Sequence, residues 1–268
     1  MLVLAAVRDV FAHRVERAAR PPFRVLHART WDATLGAILG HPVEIGVLDP
    51  ALEGSPRSLE IERLRVLFPS LSLLAYTNLA PAVAPVLLAL GEAGVRQVIL
   101  ANHDDHPDRL HRLLCAESSN AVSRQLLHAF DDLLTDWPPA LRLAVEAAIR
   151  EPAAVQSVEQ LAERAGLSRR SCTRWFAKAD LPAPHETLTV LRVVYAHRLL
   201  QDPGYTVECI AQRLGYQQTR SFAANVKDVL GMTPAELRVS LSPSDAVALV
   251  RQRYFGGRAA VSRMATAS

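Results

Sequence analysis

A chain of 268 residues, 50% hydrophobic and 21% charged, is apolar enough to bury substantial cores, and its length suits about two domains. Its net charge of +3 is too small to argue for nucleic acid by itself, and no uninterrupted apolar run reaches the roughly 18 residues that a bilayer crossing needs. Cys115, Cys172 and Cys209 are widely spaced and form no CxxC pair, which argues against a disulfide framework or a zinc site; with no basic-then-apolar leader at the start, a soluble cytoplasmic protein is expected.

The first 105 residues alternate short apolar runs with amphipathic stretches. LVLAAV from Leu2, FRVLHA from Phe23, VEIGVLD from Val43, LSLLAYT from Leu71 and RQVILA from Arg96 are the expected strands. Helical patterns lie between them at Val10 to Ala19, Trp31 to Leu39, Arg57 to Phe68 and Ala82 to Ala93. Five such pairs predict a parallel five-stranded sheet covered by helices. The order resembles the receiver domain of bacterial response regulators, which implies a flavodoxin-like α/β fold with strand order 2-1-3-4-5. By that resemblance Asp49, ending the third strand in VLDP, stands at the phosphoacceptor position, and Thr77 at the switch hydroxyl. The acidic pair after the first strand is missing, with Ala5, Ala6 and Val7 there and Asp9 shortly beyond; Ala101 or Asn102 stands where the family carries a lysine. Phosphoryl transfer needs cations to neutralise developing charge, so a pseudo-receiver is expected, with Asp49 read instead as a turn residue before Pro50.

The run NHDDHPD from Asn102 has the residue types of a metal site without the spacing of a closed ligand set, and is read as a solvated loop. From Pro107 to Asp136 the pattern is helical, with Val122, Leu126, Ala129, Phe130 and Leu133 forming a stripe suited either to dimerisation or to packing on the chain's own sheet. Pro138 and Pro139 break it, and LRLAVEAAIREP supplies a short connecting helix.

The stretch VEQLAERAGLSRRSCTRWF from Val158 returns 49 residues later as VECIAQRLGYQQTRSFAANV from Val207. Leu161 pairs with Ile210, Ala162 with Ala211, Arg164 with Arg213 and Gly166 with Gly215, so one supersecondary unit is encoded twice. Its first helix ends at a glycine suited to the left-handed conformation, and Ser168 is placed to cap the next helix. On that second helix Cys172, Trp175 and Phe176 are expected on the buried stripe, leaving Arg169, Arg170, Thr173 and Arg174 outward, as a recognition helix presents side chains to a major groove. The second copy has Tyr216 for Leu167 and one extra residue before Phe222; its outer face holds Thr219, Arg220, Ala223, Ala224 and Lys227. Between the copies LTVLRVVYAHRLLQDP from Leu188 reads as one helix stopped by Pro203. Acidic residues slightly outnumber basic ones before Glu151, and the basic excess lies in the repeat and the tail.

From about Val155 to Arg238 these motifs, together with IAQRLGY at Ile210 and GMTPAELR at Gly231, resemble the DNA-binding domain of AraC-family transcription regulators. The resemblance implies an all-α domain whose two helix-turn-helix units enter successive major-groove segments of double-stranded DNA, with Arg169, Arg170, Thr173, Arg174, Lys178, Gln218, Thr219, Arg220 and Lys227 as candidate DNA contacts. Family members commonly carry a long polar residue where Ala224 stands and an aromatic where Val226 stands, so the first unit is expected to dominate base reading. Any one of these arginines can instead contact phosphate, since about half or more of protein–DNA hydrogen bonds go to the backbone. The expected layout is a receiver-like domain over 1–118, linking or dimerising helices over 119–152, the DNA-binding domain over 153–240, and, over 241–268, a helix through Val247 to Tyr254 that breaks at Gly256 and Gly257 into a flexible tail. A transcription regulator acting as a homodimer, in contact with RNA polymerase, is expected, with no cofactor, no metal and no enzymatic activity. The alternatives are a protein-interaction module with only weak, nonspecific DNA binding, and a phosphorylation-dependent response regulator using Asp49.

Overall fold

The computed structural model describes residues 1–118 and 120–265, the side chains of residues 120 and 257–265 apart. It contains two compact units: Met1–Ala121 with the short segment Asp202–Tyr205, and Val122–Gln201 with the residues from Thr206 onward.

The first unit is a five-stranded parallel sheet formed by β1 (Leu2–Ala6), β2 (Arg24–His27), β3 (Ile45–Leu48), β4 (Ser72–Thr77) and β5 (Gln97–Leu100), in the order β2-β1-β3-β4-β5. All residues of β3 and β4 are buried, whereas the edge strands β2 and β5 are partly exposed. This is why the central strands read as continuous apolar runs. Alternate residues serve opposite faces. Val3, Ala5, Val47, Leu74 and Tyr76 join the core beneath α1 (Asp9–Ala18) and α5 (Pro107–Glu117), with Phe11, Val15, Leu110 and Leu114. Leu4, Ala6, Leu48, Leu73 and Ala75 join the opposite core with Ile38 of α2 (Trp31–Gly40), Ile61 and Leu64 of α3 (Leu59–Leu67) and Leu90 of α4 (Ala84–Glu92). The fold is the flavodoxin-like one expected from the sequence.

One polar cluster lies in the first core. Asp105 is buried and accepts from the Tyr76 hydroxyl at 2.7 Å, from the Asn102 amide at 3.0 Å and from the Arg14 guanidinium. Burial opposes ionisation of Asp105, but the bonds from Tyr76, Arg14 and the Asn102 amide outweigh it and hold the carboxyl below its ordinary range. Burial, then the neighbouring carboxylate, push the Tyr76 phenol above its own range.

The helical pattern expected as one stretch from Pro107 is divided. α5 stops at Glu117, Ser118 is extended, and α6 runs over Asn120–Thr135. Val122, Leu126, Phe130 and Leu134 are buried, while Ala129 and Leu133 are only half-buried. The second unit continues with α7 (Pro139–Arg150), α8 (Val158–Arg164), α9 (Arg169–Lys178), α10 (Pro184–Leu200), α11 (Val207–Arg213), α12 (Thr219–Leu230), α13 (Pro234–Ser240) and α14 (Pro243–Ala265). The expected Gly-Gly break does not end the last helix, which passes Gly256 and continues to Ala265; of the tail expected to be flexible, residues 266–268 lie outside the described residues. Among the described residues no helix is long and apolar enough to cross a membrane.

Asp105 carries a depressed carboxyl, so its contribution to stability is complete above the ordinary carboxylate range and is lost as pH falls through the lower folded value. Asp105→Asn should lower the stability of the sheet unit at neutral pH by about 1–3 kcal/mol, because it weakens the hydrogen bonds to buried Tyr76 and removes the charge facing Arg14. It should also flatten the loss of stability below about pH 4. Urea unfolding of the full chain, followed through sheet peptides by hydrogen exchange, measures both; an unchanged pH profile would refute the assignment.

Candidate DNA-binding surface

The first repeat folds as its local chemistry dictates. Ser157 caps α8 in a reciprocal box with Gln160, the Gln160 amide donating to Ser157 Oγ at 3.3 Å and the Ser157 amide to Gln160 Oε1 at 3.0 Å. The helix ends at Gly166, which has a φ of +63°. Ser168 then caps α9, its Oγ accepting from the Ser171 amide at 3.1 Å. Cys172 and Phe176 are fully buried, as are Leu161 and Ala162 of α8, so the pair has one packed seam and one outward face.

Arg169, Arg170, Thr173, Arg174 and Lys178 are all exposed, and α9 carries no acidic residue. Arg170 and Arg174 lie one helical turn apart and, among the described residues, have no ion-pair partner. Arg169 differs, since its Nη1 meets Glu159 Oε1 of α8 at 2.7 Å. Thr173 Oγ1 donates back to the Arg169 carbonyl at 3.1 Å. Trp175 departs from the sequence reading. It is 37% exposed rather than part of the buried stripe, and the Lys178 ammonium stands 5.4 Å from its ring centroid. Buried Phe176, the next residue, fills the seam, and 100° of helical rotation then carries Trp175 to its rim.

The second repeat rebuilds the frame with different contacts. Thr206 caps α11, accepting from the Cys209 amide at 3.1 Å. Gly215, at φ +80°, also leaves room for Gln156: a Cβ there would lie 2.2 Å from Gln156 Nε2. Tyr216 packs on Phe222 with centroids 5.3 Å apart, accepts from Asn225 Nδ2 at 3.1 Å, and lies 5.2 Å from the Arg192 guanidinium. Gln218 occupies the cap position of α12 without a side-chain cap bond; its Oε1 instead accepts from Arg220 Nε at 2.8 Å. Thr219 is half-buried, Arg220 and Lys227 are exposed, and the face between them carries Ala223 and Ala224. The extra residue in this copy falls in the turn, since α11 begins 49 residues after α8 while α12 begins 50 after α9.

α10 joins the two repeats and packs against α8, α9, α11, α12 and α13. Nearly all of its residues from Thr187 to Leu200 are buried, which explains its weak amphipathic signal. His197 is fully buried, and burial keeps its imidazole below the ordinary value; its Nε2 faces the Leu241 carbonyl at 3.0 Å, so that nitrogen bears the hydrogen. Thr233 and Glu236 form a second reciprocal cap at α13, in the GMTPAELR motif.

In the sheet unit Asp49 is 0% exposed. Its Oδ1 accepts from the Ala51 amide at 2.8 Å, as in the turn reading, and its Oδ2 meets Arg8 Nε at 2.5 Å. Arg8 also donates to Asn78 Oδ1 at 3.2 Å and stands 4.9 Å from the Phe11 ring centroid. A guanidinium therefore bridges the carboxyl ends of β3 and β4. The sequence reading passed over Arg8, although a basic residue just after β1, where receivers place acids, was a visible charge reversal. In the NHDDHPD run the carboxylates pair with arginines: Asp104 with Arg109 at 2.9 Å, Asp108 with Arg20 at 2.7 Å, and Asp105 with Arg14.

Residues 161–240 match the family described as a helix-turn-helix domain. A helix-turn-helix-type transcriptional regulator of Haemophilus influenzae is 30% identical over 47% of this chain and 41% of its own length. An AraC-like transcription regulator of Streptomyces lividans is 32% identical over 37% of this chain and 33% of its own. The chain thus spans well under half the length of these relatives. The crystal structure of an AraC-type regulator from Chromobacterium violaceum aligns over 37% of this chain and 89% of its own at 26% identity, with a TM-score of 0.33. Two helix-turn-helix units joined by a buried helix lie over the residues that the family match covers, so residues 161–240 form a helix-turn-helix domain, similar in sequence to that of AraC-like regulators.

Proposed function

We propose that the protein is a sequence-specific regulator of transcription that binds promoter DNA through α9 and α12 in successive major-groove segments, and that it acts as a homodimer in the cytoplasm. The observation that carries this is the outer face of α9, where Arg170 and Arg174 are exposed, one turn apart and, among the described residues, without an acidic partner. Such guanidiniums suit the O6 and N7 acceptors of guanine, a bidentate pair worth about 1–3 kcal/mol of discrimination. Arg169, Thr173 and Lys178 flank them. Gln218, Thr219, Arg220 and Lys227 form the weaker second surface, in which the alanines shorten polar reach. The sheet unit serves assembly or partner sensing, RNA polymerase included, without phosphorylation: the cation beside Asp49 is already supplied by Arg8. Ala223 and Ala224 favour one second reading, a protein-interaction module whose DNA binding is residual; the basic, acid-free face of α9 weighs against it.

Selection of duplexes from a random library with the full-length protein should enrich an asymmetric two-segment motif, and Arg170→Ala or Arg174→Ala should erase base preference in one segment only. Salt-dependent binding without any enrichment would favour the interaction module. Neutralising Lys178 or Lys227 should weaken all sequences alike and reduce the salt slope by about one each. Incubation with a small phosphodonor and magnesium should leave the mass of the protein unchanged. A gain of one phosphoryl group that Asp49→Asn abolishes would overturn the phosphorylation-independent reading.

A further inference from the structure

The helix α14 begins beyond the residues of the helix-turn-helix match, yet it touches the machinery of both recognition helices. It packs against α10 and α12 and buries Ala246, Val247, Val250 and Phe255. Phe255 meets Phe130 of α6, centroids 6.2 Å apart, and Trp137, 5.9 Å apart; Trp137 in turn meets Phe176 of α9 edge-on at 6.3 Å. An unbroken aromatic row therefore runs from α14 to the buried side of the first recognition helix. Aromatic contacts of this kind fix relative orientation as well as burying area. At the other end Arg253 Nη1 donates to the Val229 carbonyl at 3.2 Å, in the last turn of α12. That carbonyl has no partner within its own helix, and a cation there also opposes the negative end of the helix dipole.

A third contact holds α14 to α6. Arg251 Nη1 donates to Asp132 Oδ1 at 2.8 Å and to the Ala129 carbonyl at 2.9 Å, and Nη2 to Asp132 Oδ2 at 2.5 Å. A bidentate fork with an added helix carbonyl is the arrangement in which a partly exposed pair contributes orientation.

We propose that α14 is a brace that sets the relative orientation of the two recognition helices, with Phe255 positioning α9 through Trp137, Arg253 positioning α12, and the Arg251–Asp132 pair fixing the brace to α6. These are positioning residues, not DNA contacts. The inference concerns how tightly α9 and α12 are held, and its consequence for DNA rests on the reading proposed above.

Hydrogen exchange of the free full-length protein tests the brace without DNA. Phe255→Ala should speed exchange in α9, Arg253→Gln in the last turn of α12, and Arg251→Asp in both, each by about tenfold, with the sheet unit unchanged. Asp132→Arg combined with Arg251→Asp should restore the native rates, an outcome that simple loss of a side chain would not give. Unchanged exchange in α9 and α12, or an equal rise in every helix of the unit, would overturn the brace. On the two-segment duplex recovered by library selection, Arg253→Gln should cost about tenfold in affinity while binding to either segment alone stays within about twofold. Equal losses on the whole site and on the single segments would contradict it. Should the native protein enrich no duplex, the regulator reading fails, and the exchange rates still decide the brace.

Discussion

The proposed reading of adjacent stretches of one duplex by α9 and α12 requires that the distance and angle between the two helices be held, and that constraint falls on a buried helix. α10 is sealed on nearly every side by the helices of both repeats. No flexible linker could do this: each added degree of freedom would lower the effective concentration of the second helix at the DNA once the first is bound. The turns serve the same end: the left-handed Gly166 and Gly215 set how α9 and α12 leave α8 and α11, and Ser168 caps the start of α9.

The two surfaces held apart in this way are unequal. α9 presents four basic side chains and no acid, one of them tied to Glu159 and one lying by Trp175. α12 presents Arg220 and Lys227 around a patch of alanine, with Asp228 beside the lysine and Gln218 engaging Arg220. Positive charge with free donors suits specific reading, whereas small side chains on a packed helix suit close approach to the backbone. The asymmetry is a property of side chains on a common frame, since both repeats bury the same seam, through Leu161, Cys172 and Phe176 in one and Ile210, Phe222 and Val226 in the other.

Much of this was legible because the chain states it twice. Repetition at a constant offset exposed the helix-turn-helix frame, and five apolar runs alternating with amphipathic stretches made the helix-covered parallel sheet readable, its strand order following from the resemblance to receiver domains. What escaped notice depends on contacts distant in sequence. Trp175 looks like a core residue by spacing, but Phe176 already fills the seam. Arg8 looks like a surface charge until β1 and β3 lie side by side and bring it to Asp49, 41 residues away. The last helix was expected to break at paired glycines, a local penalty of about 1 kcal/mol each that α14 absorbs without ending there. Its link to α6 joins Arg251 to Asp132, 119 residues apart, and no local pattern encodes that.

In the sheet unit the carboxyl end of the third strand carries its own counter-charge. A carboxylate at the end of a central strand, fully buried and joined to a guanidinium, has its counter-charge permanently in place. Buried carboxylates of this kind are stable only when paired and hydrogen-bonded, and Asp49 has both kinds of partner.

The central claim is that two rigidly spaced helices of unequal reading power engage one face of a duplex. Hydroxyl-radical footprinting of the full-length protein on a selected duplex tests it most directly. The account predicts two protected patches on the same face, about one helical turn or 10 base pairs apart, with the patch under α9 persisting longer as salt is raised. A single patch, or protection spread evenly along the DNA, would contradict it.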